Sequence, residues 1–184
     1  MTSGWPREML IFVEERDRSL LELLFIRSAW GLLPDEPALD PSPDPGTSAR
    51  PAKPDQQTWE AWWREAWELA WAAQLAALPV APTRMDHKSP SWIDQFGEDG
   101  LDTEALARWI DQFVPDLRAP LESRPERRNV AALKSAWESG LDTIIVLPYR
   151  DAYAVRVSDR HLAVSAAVRN DPARYAEALQ LRAT

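Results

Sequence analysis

Five tryptophans fall within the thirteen residues from Trp59 to Trp71, at Trp59, Trp62, Trp63, Trp67 and Trp71. A covered indole buries about 150–250 Å², so five present roughly a thousand, whereas a soluble monomer rarely shows an apolar patch above about 300–600 Å². A chain with this segment must therefore cover it, with its own core or with another molecule. The spacing is helical. Trp59, Trp63, Trp67 and Trp71 form an i, i+4 row, and Trp62, Ala66 and Leu69 extend the apolar surface on the other side. The combined arc approaches about 200°, while a helix lying on one core needs about 100° or somewhat more. The sequence thus predicts a helix from about Gln56 to Leu78, with Asp55 as N-cap and Pro79 as stop, touching two surfaces.

The segment before it, 34–54, holds seven prolines in 21 residues. Proline lacks an amide donor and fixes φ, so neither helix nor central strand is expected, only a semi-rigid tether. Pro-rich segments also serve as ligands for aromatic grooves. Further upstream, Pro6 and Glu8 suit a first helical turn, with Gly31 and Pro34 as a stop, which predicts a helix to Trp30. The charged stretch Glu14 to Arg18 interrupts the apolar stripe, and a strand over Met9–Val13 followed by a helix from Asp17 is the alternative.

Downstream, Trp-Ile-Asp-Gln-Phe occurs at 92–96 and again at 109–113, each copy placing Trp and Phe on one helix face. Ser89-Pro90 and Gly97 bound the first copy; Asp102 as N-cap, a Leu101/Leu106 staple and Pro115 bound the second. Ser123-Arg124-Pro125-Glu126 reads as a capping box for a helix ending at Gly140, with Val130, Leu133 and Trp137 on its core face. The pattern then changes to strand: Thr143–Leu147 is a β-branched run, and Tyr153–Val157 and His161–Ser165 alternate. Short connections predict an antiparallel meander, and Asp171-Pro172 opens a last helix to about Leu181. The fold class is α+β, mostly helical with a C-terminal three-stranded antiparallel meander and a terminal helix. The expected organisation is an N-terminal helical segment over 1–33, the Pro-rich linker 34–54, and an α+β domain over 55–184, one domain overall.

Few chemistries survive the composition. There is no cysteine, which excludes disulfides, thiol catalysis and Cys-ligated metals. Two histidines 74 positions apart, without His-x-His or His-Glu-x-x-His, give no zinc signal, and the acidic stretch 94–104 fails an EF-hand alignment. Six glycines form no P-loop and no G-x-G-x-x-G, so no cofactor is expected. The net charge of −8 argues against nucleic acid as partner. No apolar run reaches the roughly 20 residues of a membrane span, and the Trp helix carries Glu60, Glu65 and Glu68 where an interfacial helix has Lys or Arg. The N-terminus lacks signal-peptide regions, so a cytoplasmic protein is expected.

Two site hypotheses remain. The first is a partner-binding face made of Trp59, Trp63, Trp67 and Trp71, since Trp is enriched at binding hot spots. The second is an anion site at Arg150, Arg156, Arg160 and His161, in a C-terminal part (118–184) that holds 11 Lys+Arg against 8 Asp+Glu. Period-2 alternation with Val155 facing the core puts Arg156 and His161 together on the outer face. Ser158, Asp159 and His161 include the residue types of a hydrolase, without a G-x-S-x-G elbow. The favoured expectation is a non-enzymatic interaction module that binds another protein or itself: an adaptor, an assembly or structural factor, or an inhibitor of the immunity type. The alternative is a small-molecule or anion binder, possibly a hydrolase, with Trp-lined walls and Arg or His anchors.

Overall fold

The computed structural model describes residues 4–33, 36–76, 91–114 and 118–183. Its contacts divide the chain into two units, one made of Met1–Glu15 with Pro115–Thr184 and the other of Arg16–Val114. Charge follows the same division: 12 Lys+Arg and 12 Asp+Glu in the first, 9 and 17 in the second, so the second carries the whole net charge.

The discontinuous unit is built on a four-stranded sheet. Its strands are β1 (Phe12–Glu14), β2 (Thr143–Leu147), β3 (Ala154–Arg156) and β4 (His161–Ser165), in the order β1-β2-β4-β3. The three C-terminal strands form where the alternating pattern places them, but not as a meander. β2 runs parallel to both β1 and β4, and only β3 and β4 form an antiparallel pair. A direct β2–β3 hairpin is replaced by a return of the chain over Pro148–Tyr153, which lets β4 take the central position. Leu162 and Val164 of β4 and Ile144 of β2 then face one core with Leu133, Ala136, Val168 and Tyr175. The residues of the opposite face, Ile145, Leu147 and Ala163 among them, are buried as well. A sheet buried on both faces reads as a continuous apolar run, which is how TIIVL and HLAVS read.

The expected helix from Ser123 to Gly140 breaks at Asn129 into α5 (Pro125–Arg128) and α6 (Val130–Glu138). Ser123 does not cap it: its hydroxyl donates to Pro120 O at 2.7 Å, and Arg124 is the N-cap. After β4, Ser165 caps a short α7 (Ala166–Asn170), unforeseen in the sequence, and Asp171 caps α8 (Pro172–Ala178) through the amides of Ala173 and Arg174.

In the unit Arg16–Val114, α1 (Arg18–Ala29) starts at Asp17, whose carboxylate accepts from Leu20 N at 2.8 Å. The strand-then-helix alternative is therefore the observed one, with the strand starting three residues and ending one residue later than expected, and the single helix from Pro6 is not formed. α2 (Gln56–Ala76) carries the tryptophans, and Asp55 accepts from Thr58 N at 2.8 Å. The expected end at Pro79 lies outside the described residues. α3 (Trp92–Phe96) stops at Gly97 with φ 80°, and α4 (Thr103–Ile110) is capped by Asp102. The cap expected at Ser89-Pro90 and the stop expected at Pro115 also fall outside the described residues.

Residues 36–54 form neither helix nor strand run, yet they are not a free tether. Trp109 Nε1 donates to Pro43 O at 2.9 Å, Ser48 N to Ala29 O at 3.1 Å, and Arg27 reaches Pro37 O. Pro45 is buried. Rigid prolines lose little entropy when laid against helices, so the segment packs on α1 and α4 of its own unit.

Candidate functional site

The tryptophan row of α2 starts in the core and leaves it. Each i+4 step overshoots a full turn by about 40°, so the row drifts around the helix axis. Trp59 and Trp63 are 5% and 2% exposed, and the buried stripe continues through Ala66 and Ala70. Trp67 and Trp71 have by then rotated to the edge and are half-buried. Their rings remain in one ladder: Trp67 stacks on Trp63 at 5.1 Å and meets Trp71 edge-on at 5.9 Å. On the other edge Trp62 stacks on Phe96 at 5.1 Å, while Leu69 is 44% exposed.

The core end of the ladder is fixed by hydrogen bonds and aromatic contacts. Trp63 Nε1 donates to Leu23 O at 2.7 Å, and the Arg27 guanidinium lies 5.6 Å over the Trp63 ring. Trp30 sits 5.0 Å from Trp59 and 5.7 Å from Trp92, and donates to Gly100 O at 3.1 Å. Buried Glu22 closes this cluster from α1: its Oε1 accepts from Ser91 Oγ at 2.9 Å and from Ile93 N at 3.3 Å. Of the four row residues, then, two are core and two form an edge.

The second candidate set does not converge on one face, although Arg156 and Arg160 both lie near enough to act on His161. Arg156 pairs across the ladder with Leu162, and Ala154 with Val164, so both share the core face while Val155 points outward, 42% exposed. The expected facing of β3 is thus inverted, because register with β4 decides it and alternation alone does not. His161 lies on the opposite face of the sheet from Arg156. Arg150 is exposed beside Asp151 at 3.8 Å, and Arg160 Nε pairs with Asp142 Oδ2 at 2.7 Å.

Ser158 Oγ is 2.8 Å from His161 Nδ1, whereas a serine hydrolase sets its nucleophile on Nε2 and a carboxylate on Nδ1. Here the contact closes a tight turn: Ser158 N donates to His161 O at 3.3 Å and His161 N to Ser158 O at 3.2 Å. His161 is buried, and Asp142, which would orient it, is held by Arg160 and by the Thr143 hydroxyl at 2.7 Å. Burial first, then the neighbouring Arg160, keeps the imidazole below its ordinary value, with Asp142 opposing. The arrangement supports a hairpin staple and not a nucleophile.

Arg156 is different. It is 5% exposed, its Nε donates to Ser158 O at 2.9 Å and its Nη2 to Asp159 O, while Nη1 has no hydrogen-bond partner. It lines a cleft of about 640 Å³ together with one face of α6 and the segment after α8. The cleft was not legible in the sequence, because the entry of Arg156 into it depends on the register of β3. Among the described residues, no group of three or more acidic or His side chains converges as metal ligands, and no helix is long and apolar enough to cross a membrane.

Comparison of the chain with protein-family models, with curated proteins and with solved structures returned no match.

Proposed function

We propose that this chain is a non-enzymatic interaction module that engages a protein partner through the Trp67–Trp71 edge of α2. The supporting observation is the drift of the indole ladder out of its own core: Trp59 and Trp63 anchor it, and Trp67 and Trp71 stay partly uncovered. Rings held by stacking at their inner faces are pre-organised, so little rotamer entropy is lost when a partner covers the outer faces. The unit bearing them holds 9 Lys+Arg against 17 Asp+Glu, which favours a partner whose apolar contact is rimmed by basic residues.

The test pairs capture with stability. Affinity capture by the wild-type chain is compared with Trp67→Ser and Trp71→Ser, while sedimentation over a concentration range reports self-association. A stoichiometric partner, or a dimer, retained by wild type and lost by both folded variants supports the reading. Equal capture and equal mass for all three chains overturn it.

A further inference from the structure

The cleft beside Arg156 has the features of a ligand site. One wall is a single face of α6, where Ala132, Ser135, Ala136 and Ser139 recur at i, i+3, i+4 and i+7. Small side chains there leave the space open and two hydroxyls line it. Leu181 and Arg182 form the other wall, following α8. Arg156 reaches the cleft from the core face of β3, as its register opposite Leu162 requires.

Two features argue for an anion. A guanidinium with 5% exposure has been removed from water, and no carboxylate of the described residues forms an ion pair with it. Asp159 and Asp142 offset its charge only from beyond ion-pair distance, and a buried charge without a direct ion pair is costly. Its Nε and Nη2 are held by backbone carbonyls, so the plane of the fork is fixed and Nη1 is the donor left over. The lining carries two cations, Arg156 and Arg182, and one anion, Asp159, a balance that suits a single negative charge. The volume, about 640 Å³, lies in the range of small-molecule pockets, roughly 300–1,000 Å³. Phosphate dianions would meet the Asp159 carboxylate, whereas a monoanion with an apolar body matches Ala132, Ala136 and Leu181 as well as Arg156.

We propose that this cleft binds a monocarboxylate with a compact apolar body, its carboxylate docking on the Arg156 guanidinium and its body on the small-residue face of α6. The site is separate from the Trp67–Trp71 edge and does not depend on it.

Isothermal titration with hexanoate, with the neutral hexanamide, and with a short apolar peptide bearing either a free or an amidated C-terminus tests this. Saturable binding of hexanoate or of the free peptide acid is expected, with none for the two amides. Which acid binds tells a free metabolite-like acid from a chain terminus. Arg156→Gln should weaken binding about 10–100-fold, the loss expected for one charge-assisted hydrogen bond. Ser135→Trp alters an exposed residue, leaves Arg156 in place and fills the cleft, so it should abolish binding in a chain whose fold is unchanged. Amides that bind as well as acids, wild-type affinity in Ser135→Trp, or no saturable binding of either acid would each overturn the proposal.

Discussion

Arg169 grips Glu126 with both arms of its guanidinium: Nε lies 2.8 Å from Oε1 and Nη2 3.1 Å from Oε2. Glu126 is buried and the Arg169 side chain is 11% exposed, and the third nitrogen, Nη1, reaches Glu15 at 3.2 Å, just past β1. The Tyr175 hydroxyl adds a hydrogen bond to Glu126 Oε1 at 3.0 Å. Burial raises the Glu126 carboxyl, but the bonds and charge of Arg169 outweigh it and the net displacement is downward. Burial, then Glu126, drives the Tyr175 hydroxyl up, so the phenol stays a donor. One cation thus ties the N-terminal strand, α5 and α8 of the discontinuous unit.

Arg169→Ala should cost about 3–5 kcal/mol, because it strands the Glu126 carboxylate in the core beside Glu15. Glu126→Leu combined with Arg169→Met should recover most of that loss. Chemical denaturation measures both, and a loss for Arg169→Ala below about 1 kcal/mol would show the pair to be incidental.

The tryptophans should divide by position. Trp63→Ala removes a fully packed ring and its bond to Leu23 O, at a cost of about 3–5 kcal/mol. Trp71→Ala removes a partly exposed ring and should cost about 1–2 kcal/mol. Equal losses on thermal melting would place Trp71 in the core and remove the support for an interaction edge.

Gly100 sits at φ +74°, and a Cβ there would lie 2.5 Å from Pro51 Cδ and 2.6 Å from Ala49 O. Gly100→Ala therefore combines a disfavoured backbone conformation with a clash against the Pro-rich segment, at a cost of about 1–3 kcal/mol. Limited proteolysis should cut residues 36–54 faster in the variant than in wild type, where the segment is packed down. Unchanged cleavage would mean that this contact does not hold it.

His161 has its proton affinity lowered by burial and by Arg160, so the unfolded chain takes up a proton there before the folded one does. Stability from this group is complete above the unfolded value of about 6.5 and is lost as pH falls toward the folded value. Tm should decline as pH falls below about 6.5, and His161→Gln should flatten the decline. An identical slope in the variant would assign it to other groups.

Local signals in the sequence located elements well. Asp17, Asp55, Asp102 and Asp171 each cap the helix expected after them, or, for Asp17, after the alternative reading. Thr143–Leu147 and His161–Ser165 are strands to the residue. What local pattern does not encode is the partner of a strand. Nothing in TIIVL says that Phe12–Glu14 runs beside it, and a three-residue edge strand has no alternation to read. The inverted facing of Arg156 has the same origin: its neighbour Leu162 fixes it through register. The tryptophan arc was legible as too wide for one surface, but the share of each ring in the core required the drift of the row against Ala66 and Ala70.

The pairing of Phe12 with Thr143 spans 131 positions, and the whole of the other unit is encoded between them. At a synthesis rate of about 5–20 residues per second, the first strand waits roughly 7–26 s for its partner. During that interval Ile11, Phe12 and Val13 have no sheet to join, whereas the unit Arg16–Val114 already has its full sequence. The order of manufacture therefore completes the sequence of the acidic, tryptophan-bearing unit first, and the sheet of the other unit closes only when the final third of the chain is made.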